Sequence, residues 1–164
     1  MRSSLLALTI VLLAGGRAAA QTRTDLNEVS LNAFLSGVSA GGESSTVMQV
    51  EGRYGRFLSP RLELGASLSA TKVESIDMFG TLGAFGAWHF GLEGATAVPY
   101  AGGAVGFGFG GGDDNPVNFG VFGGYKFFVG ESAGVITEAF VNRIDSGSGS
   151  GTQYGVRVGI ALFW

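Results

Sequence analysis

The chain has no cysteine, so no disulfide stabilises it and no thiolate serves it as nucleophile or metal ligand. It has a single histidine, which leaves His89 as the one conventional general base. Charge is scarce: Asp, Glu, Lys and Arg together make up 14% of residues, against roughly 25% in an average soluble domain. The formal net charge is −3 and becomes −5 once Arg2 and Arg17 are set aside with the N-terminal segment, a balance that argues against a nucleic-acid partner. Long apolar runs are missing too, apart from one near the N terminus. The longest uncharged stretch beyond it, Gly94 to Gly112, contains Pro99 and repeated glycines, which penalise a helix at nearly every turn. Glycine itself is plentiful, at 30 of 164 residues, and 13 phenylalanines accompany it. A disordered glycine-rich chain lacks such aromatics.

The apolar run near the N terminus, Leu5 to Ala14, follows Arg2 and precedes Ala18-Ala19-Ala20-Gln21. A charged start, a short apolar core and an A-x-A site read as a secretory signal peptide over 1–20, cleaved after Ala20, with one domain over 21–164. The run is shorter than the ~20 apolar residues a transmembrane helix needs. No cysteine follows it, which closes the lipoprotein route.

Beyond the signal, the pattern has period two and is punctuated by turn residues. It predicts about eight strands, near 28–38, 46–57, 62–71, 78–90, 100–109, 117–127, 135–142 and 154–164. One face of each is apolar, as in Val29, Leu31, Ala33 and Leu35, or Leu62, Leu64, Ala66 and Leu68. The other is polar or small, and there the strand charges fall: Glu51, Arg53, Glu63, Lys126, Glu138 and Arg157. On the apolar face only Arg56 appears, near a strand end where a long side chain can snorkel. Tyr54, Trp88, Phe90, Tyr125, Phe127 and Trp164 gather at strand ends, as an aromatic girdle at a membrane surface would.

Periodicity does not say which face is inside. A soluble lipocalin-like barrel shows the same alternation with its apolar face inward. Against it stand a second face made mostly of Gly, Ser, Thr and Phe rather than charge, the absence of a disulfide pair, and a chain that stops on Trp164.

The last stretch, Tyr154-Gly-Val-Arg-Val-Gly-Ile-Ala-Leu-Phe-Trp164, resembles the closing strand of a bacterial outer-membrane β-barrel, and the whole of 21–164 resembles the small eight-stranded, OmpA/OmpX-type family. The resemblance implies an all-β, antiparallel up-and-down transmembrane barrel in the outer membrane. It implies contact with outer-membrane lipids, and with periplasmic chaperones and the barrel-assembly machinery during biogenesis. That machinery would read Arg157, Gly159, Leu162 and Trp164 as an assembly signal. In such a meander the loops 39–45, 71–77, 110–116 and 145–152 face outward.

Candidate chemistry is thin. Outer-membrane hydrolases pair histidine with a nearby serine; His89 lies between Trp88 and Phe90 with none close in sequence, so it reads as a structural histidine at the interface. Gly106, Gly108 and Gly111 match G-x-G-x-x-G, yet a loop and another strand follow where a dinucleotide site needs a helix N terminus. Asp113, Asp114 and Asn115 lack the repeated spacing of a calcium loop and read as a solvated tip. No catalytic, cofactor or metal site is expected. The polar-face charges, three acids and three bases, read as a lumen-filling network. The expected function is a non-enzymatic outer-membrane protein with an envelope-structural or surface-contact role. The alternatives are a narrow porin-like channel, a lipid-modifying enzyme working through His89, and a soluble carrier.

Overall fold

The computed structural model describes residues 26–40, 43–73, 76–91, 95–110, 115–147 and 149–164. The segment read as a signal peptide lies outside the described residues, as do Gly111, Asp113 and Asp114. Eight strands follow one another: β1 (Asn27–Ala40), β2 (Glu43–Phe57), β3 (Leu62–Val73), β4 (Ile76–His89), β5 (Ala97–Phe109), β6 (Val117–Phe128), β7 (Ala133–Ser146) and β8 (Gly149–Phe163). Each pairs antiparallel with the next, and β8 returns to pair with β1, closing the barrel. The closing ladder runs from Glu28 opposite Phe163 to Ser39 opposite Thr152. Below it the Asn27 N–H donates to the Trp164 carbonyl at 2.9 Å, and the Trp164 N–H donates to the Asn27 carbonyl at 3.2 Å. Closure leaves no strand edge with unpaired backbone groups.

Antiparallel meander pairing puts the connections β2–β3, β4–β5 and β6–β7 at the end that holds Asn27 and Trp164, here called the base. The other four connections form the rim. Strand alternation then sorts side chains between outside and lumen, and the sorting is inverted relative to a soluble barrel. Leu31, Met48, Val121 and Ile160 are 56–69% exposed, whereas Glu138 is 1%, Glu63 2% and Lys126 4% exposed. The apolar face is outside.

The strands are longer at the rim than the hydrophobic pattern predicts. Residues assigned to loops at 39–45, 71–77 and 145–152 are mostly strand: β1 pairs with β2 as far as Ala40 opposite Glu43, and β7 with β8 as far as Ser146 opposite Gly149. Between β3 and β4 the ladder passes a register shift at Thr71/Val73 and still reaches Val73 opposite Ile76. Backbone hydrogen bonding continues after the apolar alternation fades, because a ladder needs paired N–H and C=O groups and not apolar side chains.

Eight strands enclose little space, so long inward side chains need small neighbours. A Cβ on Gly55 would stand 1.9 Å from Glu63 Oε1, and one on Gly102 would stand 2.5 Å from Phe122 Cζ. Glycine on one strand makes room for a carboxylate or a ring from another.

Candidate functional site

The lumen holds the polar chemistry in two layers. Near the base, Lys126 Nζ donates to Glu28 Oε2 and, at 2.9 Å, to Glu63 Oε2. His89 Nε2 lies 3.0 Å from the same Glu63 oxygen. The histidine ring stacks on Tyr100 at 5.4 Å and packs on Phe57 at 4.9 Å, and the Lys126 ammonium lies over the faces of those same two rings. Glu28, Glu63, His89 and Lys126 are all buried.

Above them, four charges form a ring across the lumen. Arg53 Nε pairs with Glu51, and Arg53 Nη1 donates to Glu138 Oε2 at 3.0 Å. Arg157 Nε lies 3.2 Å from Glu138 Oε1, and Arg157 Nη1 donates to Glu51 Oε1 at 2.6 Å, which closes the circuit. Each guanidinium lies between two phenylalanine rings. Arg53 Cζ is 5.1 Å from the Phe85 centroid and 4.9 Å from Phe122; Arg157 Cζ is 5.0 Å from Phe34 and 4.8 Å from Phe140. Tyr100 joins the layers, donating its O–H to Glu138 Oε2 at 2.8 Å while its ring rests on His89. The space left between the layers is about 10 Å³, room for one water at most.

All six charges expected on the polar face meet here, Glu51, Arg53, Glu138 and Arg157 in the ring and Glu63 and Lys126 in the lower cluster. Sequence reading missed Glu28, though it shares the parity of Ser30 and Asn32 and so their inward face. It placed Phe34, Phe85, Phe122 and Phe140 on the polar face without a role, and the structure sets them against the two arginines. His89 is not interfacial: it is 2% exposed and points into the lumen, because its parity on β4 matches that of Phe85 and Ala87. Among the described residues its hydrogen-bond partner is Glu63, and no serine bonds to it. Among the described residues, no group of three or more His, Asp or Glu side chains is placed to hold a metal ion. The glycines of the G-x-G-x-x-G match that are described, Gly106 and Gly108, face inward on β5, and the next described element is the strand β6.

The six aromatics at strand ends, Tyr54, Trp88, Phe90, Tyr125, Phe127 and Trp164, all lie on the outer face around the base and are exposed. Tyr54 donates its hydroxyl to Asn27 Oδ1 at 2.9 Å, and Tyr125 stacks on Phe127. Of the terminal pattern, Leu162 and Trp164 face outward, while Arg157 and Gly159 face the lumen.

Toward the rim, the ring of charges floors a cavity of about 350 Å³. Its walls carry hydroxyls and amides, Gln153 donating to Ser36 Oγ at 3.0 Å and to Gln49 Oε1 at 3.3 Å.

Solved structures share this architecture. Neisserial surface protein A superposes with a TM-score of 0.72 at 17% identity, covering 83% of this chain and 96% of that one. Ail, the attachment invasion locus protein of Yersinia pestis, gives 0.57 at 12%, covering 87% and 100%. The outer membrane protein OprG of Pseudomonas aeruginosa gives 0.51 at 10%, covering 92% and 98%. No sequence-family model matches the chain, and no curated protein matches it. The likeness is one of fold: an all-β, closed, eight-stranded antiparallel barrel of the kind these outer-membrane proteins have.

Proposed function

We propose that the protein is an integral outer-membrane barrel with a sealed lumen, acting without enzymatic chemistry in envelope structure or surface contact. The observation that carries this reading is the pair of ion-pair layers stacked across the lumen, with a pocket of only about 10 Å³ between them. A lumen charge with its partner in place is tolerable in a membrane barrel, whereas a charge facing lipid at mid-bilayer costs about 2–4 kcal/mol.

The outer face fits a bilayer. On β8 the outward residues from Tyr154 to Trp164 are all apolar or aromatic. Ten residue steps of ~3.3 Å, tilted by about 40°, rise about 25 Å, the height of the apolar band on outer-membrane barrels. The aromatic cluster at the base then sits at the periplasmic surface and the rim faces outward. A surface role also accords with the names of two similar structures, one a surface protein and one an attachment protein.

Three measurements test the reading. The purified barrel in a planar bilayer is expected to leave the membrane closed; discrete single-channel steps would replace the sealed barrel with a narrow channel. Cell fractionation is expected to recover the chain with the outer membrane, in a form whose gel mobility changes on heating. Recovery as a soluble periplasmic protein would sink the assignment. Lipid composition is expected to be the same in a His89→Ala strain, since His89 is enclosed by Glu63, Tyr100 and Phe57.

A further inference from the structure

The cavity between the charge ring and the rim differs in kind from everything below it. Beneath, each charge is answered by another. In the cavity, Ser67, Ser69, Thr71, Thr81, Asn118 and Asn142 face the space and form no side-chain hydrogen bond with any described residue. These donors and acceptors come from β3, β4, β6 and β7, so they surround the space rather than line one wall. Glycine keeps it open: a Cβ on Gly106 would stand 2.7 Å from Asn118 Oδ1 and 2.9 Å from Thr81 Cγ2, and one on Gly83 would stand 2.8 Å from Ser67 Oγ. Phe79, partly exposed, offers a ring on the same side as Thr81.

The lining selects among ligands. The walls also carry apolar groups, among them Val47, Pro116 and Ile144, but a wholly apolar molecule would strand the hydroxyls and amides between them, each at a desolvation cost. An ion would meet a floor whose two arginines and two carboxylates are already ion-paired with one another, and walls without charge. A neutral molecule with many hydroxyls uses what is there: each can donate to and accept from amides and hydroxyls, and its C–H face can rest on an aromatic ring. The volume, about 350 Å³, lies at the small end of the roughly 300–1,000 Å³ of ligand pockets. We propose that this vestibule binds a neutral polyhydroxylated solute of monosaccharide size. The binding site stands on the lining alone; only its access from outside the cell rests on the orientation proposed above.

The test is a titration of the full barrel, folded in a zwitterionic detergent free of sugar headgroups, followed by amide chemical shifts. The probes are D-glucose, N-acetyl-D-glucosamine and, as the anionic control, inorganic phosphate. The expected result is saturable movement of the Gly83, Gly106 and Asn118 signals with at least one sugar and none with phosphate. In Thr81→Val/Asn118→Leu the sugar affinity should fall about tenfold, since two neutral hydrogen bonds are lost. Gly106→Ala, whose added methyl crowds Thr81 and Asn118, should weaken it without removing a polar group. Heat-modified gel mobility checks that each variant is folded. Three results would overturn the proposal: no saturable shift with either sugar, preferential binding of phosphate, or full sugar affinity in both variants. None of these bears on the sealed lumen, which bilayer conductance tests separately.

Discussion

Arg53 on β2 and Glu138 on β7, 85 positions apart in the chain, join across the lumen with Nη1 at 3.0 Å from Oε2. The bond closes one side of a four-membered circuit whose other corners are Glu51 and Arg157. Side chains from three strands, β2, β7 and β8, meet at one level because a barrel of eight strands brings its walls within side-chain reach of one another.

Removing one corner leaves its partners buried and unanswered. Arg157→Gln is therefore expected to cost about 3–5 kcal/mol, the usual penalty for breaking a buried pair from one side. Glu131→Gln, in the exposed turn between β6 and β7, should change stability by less than about 0.5 kcal/mol. Unfolding midpoints of the refolded barrel in urea check the contrast; equal midpoints would discount the circuit as a source of stability.

The phenylalanines beside the arginines supply more than bulk. A buried cation against a ring face contributes about 2 kcal/mol. Phe140→Leu should lose part of this together with its packing. Combined with Arg157→Met, it should cost less than the sum of the two single changes, since the methionine variant has no cation for the ring to serve. A double-mutant cycle on unfolding free energy measures the difference, and strict additivity would argue that the rings only fill space.

Gly55 and Gly130 make a paired test of close approach. Gly55→Ala would drive a methyl into Glu63, displacing it from Lys126 and His89 at a cost of about 1–3 kcal/mol. Gly130→Ala meets nothing within 4 Å and is expected to be near neutral. Thermal unfolding followed by circular dichroism separates them.

Val158, on the outer face in the middle of β8, tests where the bilayer lies. Val158→Arg should destabilise the barrel folded into lipid vesicles by about 2–4 kcal/mol, whereas Val129→Arg, beyond the base end of β6, should cost about 0–1 kcal/mol. Equal tolerance at both depths would argue against a bilayer around β8.

Much of the fold is legible in the chain. The dyad pattern of Leu62, Leu64, Ala66 and Leu68 against Glu63, Gly65, Ser67 and Ser69 marks β3 and its two faces without any tertiary information. Strand ends were less legible: Ser146 and Gly149 carry no apolar signal, yet they pair. His89 was misjudged because its neighbours Trp88 and Phe90 point outward, and adjacent residues on a strand do not share an environment. Glu28 escaped because it stands next to Asn27, at the very start of its strand, where period two has little length to declare itself.

Alternation along the chain thus determined which residues share a face, and with it the exclusion of charge from the central part of the apolar side. It could not say which side is inside, because a soluble barrel and its inverse alternate identically. Nor could it say that Arg53 meets Glu138 or that Phe34 and Phe140 flank Arg157. Those are long-range matters. They depend on closing β8 onto β1, on the register of eight ladders, and on an enclosed space so narrow that a charge buried in it reaches a partner on another strand.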